Sequence, residues 1–481
     1  MTSDYQTVIG LEVHCQLKTK SKIFCGCTTQ FGAAPNYNTC PVCLGMPGVL
    51  PVLNAEVLRY ALRLGLALNC NIRMSSRLAR KNYFYPDLPK GYQISQFDEP
   101  ILEGGSVQIA VNDAEQMVAL TRIHIEEDAG KLVHCGDRNE SHVDYNRAGL
   151  PLLEIVSEPV MHTSDEAVAY LKAVHNIVQY IDICDGHMEQ GSFRCDANVS
   201  IRPVGVDTLG TRTELKNLNS FNHVKRAIDY EISRQIDWVE SGEAVVQETR
   251  LWDEKNSRTR PMRGKEEAHD YRYFADPDLL PVVVPDALLN EVRESLPELP
   301  EQRRQRYISD YELTPYDSAV LTSDKTYGPY FESVCSSGIP AKIAANWVQG
   351  ELLGRLNADG KTIETSPIGS VVLGQILKRV VDGTISGKQA KRVFQRVYSG
   401  EDVEQVLADV GEQLNDPAAL CPIIDKILDA HPKEVAVYLG GKTKTAGYFV
   451  GQVMRETQGN ANPGVVNRLI TELLENRRSA E

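Results

Sequence analysis

No stretch of the sequence runs about 18 residues without a charge or a helix breaker, which excludes an obvious membrane-spanning helix. The opening MTSDYQTVIG also lacks a basic segment leading into an apolar one, so a soluble protein of the cytosol is expected. The eleven cysteines are an odd number, and a fully paired disulfide framework within the chain is therefore excluded. In a reducing cytosol they are expected to be metal ligands or buried thiols. Positive charge is in deficit: 51 Lys and Arg against 65 Asp and Glu leave −14, with a pI near 5.3. That balance excludes a uniformly basic nucleic-acid coat, though not a local basic groove. Two catalytic signatures are missing. Gly441, Lys442 and Thr443 end like a phosphate-binding loop, but Ala436 stands where its first glycine belongs. There is no G-x-S-x-G elbow and no Ser- and Gly-rich amidase loop, so a self-contained glutaminase is not expected. Internal repeats and low-complexity tracts are absent too.

What is present is a chain of 481 residues, 42% hydrophobic and 24% charged, enough for two to four domains of about 150 residues each. VIGLEVHCQL, SVQIAVN, MVALTRIHIEE, LLEIVSE and ANVSIRPVG have the β-branched content and alternation of strands. Helical spacing marks 54–68, a helix starting at Ser164 as N-cap, and 220–239. These predict an α+β domain with a large, mostly antiparallel sheet over 1–295. Prolines at 281, 285, 297 and 300 punctuate a linker and first helix. Beyond them strands are scarce and helical periods dominate, giving an all-α domain over 296–414 and, past the Asn415-Asp416-Pro417 break, a small helical tail over 415–481.

Cys25, Cys27, Cys40 and Cys43 form C-x-C and C-x-x-C pairs in a turn-rich, polar stretch that offers little hydrophobic reason to hold four thiols. Four thiolates so spaced suit one tetrahedral, closed, structural Zn²⁺. Cys15, Cys70, Cys184 and Cys195 sit in apolar patterns and are expected to be buried thiols.

A second group offers harder donors. Glu12 and His14 alternate on one strand and face the same side. RIHIEEDAGK adds His124, Glu126, Glu127, Asp128 and Lys131, and Glu154 sits inside the apolar strand GLPLLEIVSEP. A buried ion pair and a Mg²⁺ site bridging protein to phosphates account equally well for this pattern. Arg77, Arg80, Lys81 and Lys90 interleave with Tyr83, Phe84, Tyr85 and Tyr92, a mixture suited to phosphate contacts and base stacking. Lys255, Arg258, Arg260, Arg263 and Lys265 form a second basic run. Arg194, Asp196, Asn198, Glu214, Lys216 and Asn217 are dense enough to form the wall of a site.

Together these segments, with FGAAPN, NTCPVCLGMPG, KNYFYPDLPKGYQISQ, HDYRYFADPDLLP, GYFVGQVM and NPGVVNRLI, resemble the B subunit of the aspartyl/glutamyl-tRNA(Asn/Gln) amidotransferases, the GatB family, across nearly the whole chain. The resemblance implies a cradle domain with an inserted zinc loop, a helical domain and a YqeY-like tail that contacts tRNA. It implies a carbon–nitrogen ligase with glutamine as amido donor, working as a heterotrimer. In that family the glutaminase partner, the A chain of the trimer, frees ammonia from glutamine, and the small C chain assists assembly. The B subunit uses ATP and Mg²⁺ to convert the side-chain carboxylate of Glu-tRNA(Gln) or Asp-tRNA(Asn) to an acyl phosphate, and channelled ammonia displaces the phosphate. On that basis His14, Glu127 and Glu154 correspond to magnesium ligands, with Glu12, Glu126 and Asp128 beside them. Arg80, Lys81, Tyr83, Lys90, Arg194, Asp196, Asn198, Lys216, Arg258 and Arg260 become candidates for ATP or tRNA contacts. The tail fits mildly: residues 430–481 carry seven Lys and Arg against five Asp and Glu. A rival reading is a zinc-stabilised RNA-binding assembly factor without chemistry of its own.

Overall fold

The strand Tyr5–Gln16 lies at the centre of the molecule's largest sheet because its residues alternate in kind. Ile9, Leu11, Val13 and Cys15 are buried on one face, whereas Glu12 and His14 point to the other. The computed structural model describes residues 4–480 except 113, 136–139, 265–267, 411–413 and 458. Among the described residues the sheet has ten strands. On one side of Tyr5–Gln16 lie Pro151–Ser157 and then Ala114–Glu127; on the other lie Phe193–Pro203, Thr213–Lys216, Glu248–Asp253 and Arg258–Gly264. Neighbours are antiparallel except Thr213–Lys216 with Glu248–Asp253, which run parallel. The expected α+β class with a mostly antiparallel sheet is what the structure contains.

Helices Ala55–Ala67, Ser164–Tyr180 and Phe221–Glu240 supply Val57, Leu62, Leu171, Val174, Val224 and Ile228 to the same core as the sheet's apolar face. The second helix is capped one residue before the expected Ser164: Thr163 accepts the Glu166 backbone N–H at 3.1 Å, and Ser164 is buried. The third is capped by Ser220, whose hydroxyl accepts from the His223 backbone. The proline-punctuated segment contributes more than a linker. Val282–Val283 pairs with Ser75–Ser76, and Val282, Val284 and Val292 are buried in the first core.

The chain divides into two compact units, Met1–Leu299 and Pro300–Glu481. The described part of the second unit is helical apart from one isolated bridge, Leu414 with Ala461. It has two hydrophobic clusters, one running from Tyr307 to Val406 and one from Leu420 to Leu474. The helix Val403–Val410 ends before the Asn-Asp-Pro break, and Pro417–Ala430 begins at its proline, with the Asp416 side chain accepting from Ala418 N. No helix among the described residues is long and apolar enough to cross a membrane.

Candidate functional site

Strand register assembles the first cluster. His14 stands opposite Glu154 on one side and Arg194 on the other, and Glu154 stands opposite His124. Four neighbouring strands therefore present His124, Glu154, His14 and Arg194 as one row on the polar face. Glu126, two residues beyond His124, joins them. The Glu154 carboxylate is 3.4 Å from both the His14 and His124 Nε2 atoms, and Glu126 is 3.7 Å from His124 and 3.8 Å from Lys81. Ser95 Oγ (2.7 Å) and Gln93 Nε2 (2.5 Å) donate to Glu126 from the strand Tyr92–Ser95.

Charge balance in this row is tight. Burial disfavours a charged His124, but Glu154 and Glu126 outweigh it and raise its pKa to about 9; burial opposes a charged His14 too, and Glu154 again prevails and raises it. Burial likewise opposes ionisation of Glu126, yet Lys81 and His124 hold it down at about 2, and the two histidines hold Glu154 well below the usual carboxylate range. The two carboxylates thus favour the charged form of the imidazoles beside them, a role a bound dication would take over. One ligand atom each from His14, Glu126 and Glu154 lies within 4.8 Å of the others, and the donor set of two carboxylates and an imidazole fits a hard divalent ion.

Glu127, expected with His14 and Glu154, is instead turned away. It has the opposite strand parity to His124 and Glu126, accepts the Ile94 N–H at 2.8 Å and pairs with Lys90. Both line a smaller cavity of about 100 Å³ that also touches Lys22, Cys25 and Cys43. Asp128 is engaged as well, 2.9 Å from Arg194 and 3.3 Å from Arg147.

His14, His124 and Glu154 floor a cleft of about 250 Å³ lined also by Glu12, Lys81, Arg122, Asp196, Arg212, Glu214, Lys216, Tyr271 and Tyr273. Asn198 donates to Glu12 at 2.8 Å, and Lys216 donates to Asp196 at 2.6 Å. Lys81 lies 5.2 Å above the Tyr271 ring, and Tyr83 donates to Gln93 at 2.9 Å. Arg80 is spent elsewhere: it pairs with Asp276 (2.8 Å) and Asp278 (2.9 Å) and stacks on Tyr92, tying Phe274–Ala275 to Ala79–Asn82. Arg258 and Arg260 lie on the outermost strand of the sheet, exposed, with Arg260 paired to Asp253; neither lines the cleft. Lys265 and the Arg263 side chain lie outside the described residues. Arg122, Gln93 and Ser95 are site residues that motif reading misses, although the alternation of Arg122 with His124 and Glu126 in TRIHIEE marks the first.

The four cysteines of the loop form the second cluster, with their sulfurs within 4.8 Å of one another. Cys40 and Cys43 Sγ are 3.9 Å apart, close to the edge of a tetrahedron about a zinc ion with Zn–S near 2.3 Å. The Cys40 N–H (3.1 Å) and the buried Lys22 ammonium (3.7 Å) both donate to Cys43 Sγ. A bond from Cys25 holds Cys43 down to about 4, while sharing that proton pushes Cys25 up, and burial raises Cys27 to about 11. One thiolate forms readily while Cys25 and Cys27 resist, as expected of a set that needs a cation to ionise together. Elsewhere Cys15, Cys184 and Cys195 are buried and Cys70 is half-buried.

The charged cleft over the β-sheet, the row of possible metal ligands and the four-cysteine loop all lie in the first unit. Residues 7–290 match the GatB/GatE catalytic domain, and residues 329–474 match the GatB domain. The chain is 56% identical over 472 residues to the B subunit of the aspartyl/glutamyl-tRNA(Asn/Gln) amidotransferase of Trichlorobacter lovleyi, covering 98% of this chain and 99% of that one. It is also 56% identical to that of Geobacter sulfurreducens, with 98% and 99% covered, and 54% to that of Alkalilimnicola ehrlichii, with 98% and 100% covered. The chain belongs to the GatB family of amidotransferase B subunits.

Proposed function

We propose that this chain is the ATP-consuming member of a tRNA-dependent amidotransferase, a ligase that forms a carbon–nitrogen bond. The observation that carries the reading is the His14, Glu126 and Glu154 cluster at a cleft lined by Lys81 and Lys216, with Arg194 opposite His14 in the strand register. A carboxylate oxygen of Glu-tRNA(Gln) or Asp-tRNA(Asn) attacks the γ-phosphorus of ATP, the bond to the β–γ bridging oxygen breaks, and ADP leaves. Ammonia then attacks the acyl carbon, phosphate departs with the surplus proton, and the amide remains. The ammonia originates in glutamine hydrolysed on a glutaminase partner, which completes a heterotrimer with a small assembly partner, and it reaches the cleft through an internal channel.

Such a reaction gathers anionic oxygens in one place, so catalysis is largely positioning and charge neutralisation. His14, Glu126 and Glu154 would hold Mg²⁺, which when bound would offset the negative charge gathered on phosphate oxygens. Lys81 and Lys216 hold positive charge at the cleft wall, each braced by a carboxylate. Arg194 is braced by Asp128, which fixes the guanidinium beside His14 in the register. The four-cysteine loop would hold Zn²⁺ as a closed structural site. Residues 415–481 are assigned to tRNA contact, supported by the excess of Lys and Arg over Asp and Glu, seven against five, within 430–481.

The test is Glu154→Gln in the assembled complex. ATP-dependent amidation of misacylated tRNA is expected to fall by about 10² or more; unchanged turnover would remove the cluster from the chemistry. ATP consumption that depends on misacylated tRNA and is lost with Glu154 also separates this reading from a non-catalytic assembly factor.

A further inference from the structure

Among the described residues Lys22 is the only lysine that is fully buried. Other lysines of the first unit meet carboxylates: Lys90 pairs with Glu127, Lys81 with Glu126 and Lys18 with Asp182. Lys22 has no such ion pair among the described residues. An ammonium taken out of water with no opposite charge beside it is strongly unfavourable. What faces this one is sulfur. Its Nζ donates to Cys43 Sγ at 3.7 Å and to the Tyr145 carbonyl at 3.2 Å, which accounts for two of its three hydrogens.

The backbone fixes the side chain in this place. The Lys22 N–H donates to the Cys27 carbonyl at 2.9 Å, the Ile23 N–H donates to the Gly149 carbonyl at 3.0 Å, and Ser21 bridges to Thr28. The main chain of Lys22 thus holds the C-x-C half of the loop while its ammonium reaches the C-x-x-C half. The segment that carries Tyr145 is tied to the same loop. The Asn36 N–H donates to Asp144 at 2.9 Å, the Tyr145 N–H to Asn36 at 2.8 Å and the Asn38 N–H to Asn146 at 2.8 Å. Four thiolates around one Zn²⁺ leave a net double negative charge, and Cys43 is itself buried. A buried cation lacking a carboxylate and a cluster with surplus negative charge therefore meet at one sulfur.

We propose that Lys22 is the charge partner of the four-cysteine zinc site: its ammonium offsets the surplus negative charge at Cys43 and tightens the hold on the ion. The proposal rests on the loop binding zinc and adds to it a positioning residue that ligand spacing does not mark.

The test uses the assembled complex, loaded with zinc and in parallel with Co²⁺ as a spectroscopic stand-in, and compares the wild type with Lys22→Met and Lys22→Arg. Lys22→Met keeps the length of the side chain and removes its charge. It is expected to weaken zinc about ten-fold or more in competition with a chelator, with Lys22→Arg recovering part of the loss. In the Co²⁺ form its sulfur-to-metal charge-transfer band is expected at longer wavelength, because a thiolate that loses a hydrogen bond gives up an electron more readily; Lys22→Arg moves the band back. Unchanged zinc affinity in Lys22→Met overturns the proposal. So does weakened zinc with an unmoved band, which would leave Lys22 a packing role only. Melting temperature is followed for each variant, and if Lys22→Met unfolds early, Lys22→Gln replaces it under the same criteria. The wild type is the control: if it binds no zinc, the underlying reading fails. If it binds about one zinc per chain with an affinity that Lys22→Met leaves intact, only the charge partnership fails.

Discussion

The two metal-ready clusters of the first unit are built in opposite ways. The thiolate cluster comes from one loop, with all four donors between Cys25 and Cys43, and its sulfurs face mainly one another. The carboxylate–imidazole cluster draws His14, Glu126 and Glu154 from three different strands and opens into a cleft crowded with further charge. A closed set of four soft donors can hold an ion but leaves no position for substrate, whereas an open set of three hard donors does. The first is suited to stability and the second to chemistry.

Variants that separate the two clusters test this division. The largest effect is expected from Glu154→Gln, with a loss of about 10² or more in ATP-dependent amidation and zinc content unchanged, measured by turnover and metal analysis. A fall in zinc would show that the clusters are not independent. Next is Cys43→Ala, expected to reduce bound zinc from about one per chain towards none and to lower the melting temperature by about 5–10 °C. Full zinc retention would reassign the loop. Removing residues 415–481 is expected to weaken tRNA binding about ten-fold and flatten its salt dependence, read from binding curves at several ionic strengths. Smallest, and most discriminating, is the neighbouring pair: Glu126→Gln is expected to shift the Mg²⁺ midpoint of activity about ten-fold upward, whereas Glu127→Gln leaves that midpoint in place. The reverse pattern would restore Glu127 to the metal.

The same contrast explains what can be read from the chain alone. Cys25, Cys27, Cys40 and Cys43 are legible because a loop brings near neighbours in sequence together, so spacing is geometry. The strands themselves are visible from alternation in VIGLEVHCQL and MVALTRIHIEE, and the helices from their caps to within a residue, Thr163 being one position before the expected Ser164. The partnership of His14 with Glu154, 140 positions away, depends on strand order and register, which no local pattern encodes. Glu127 eludes sequence reading for a related reason. Adjacent acidic residues look interchangeable in EED, but a strand sends Glu126 towards His124 and Lys81 and Glu127 to the opposite side, where Lys90 and the Ile94 N–H take it. Arg80 likewise looks like a phosphate ligand until the structure brings Asp276 and Asp278 to it from nearly two hundred residues downstream.

The central claim is that His14, Glu126 and Glu154 form the catalytic metal site and the four cysteines a separate structural one. Mn²⁺ binding to the assembled complex in the presence of ATP, followed by electron paramagnetic resonance together with zinc content, tests it most directly. The account predicts that Glu154→Gln and His14→Ala lose the bound Mn²⁺ signal and keep about one zinc per chain. Mn²⁺ bound with wild-type affinity in both variants would contradict it.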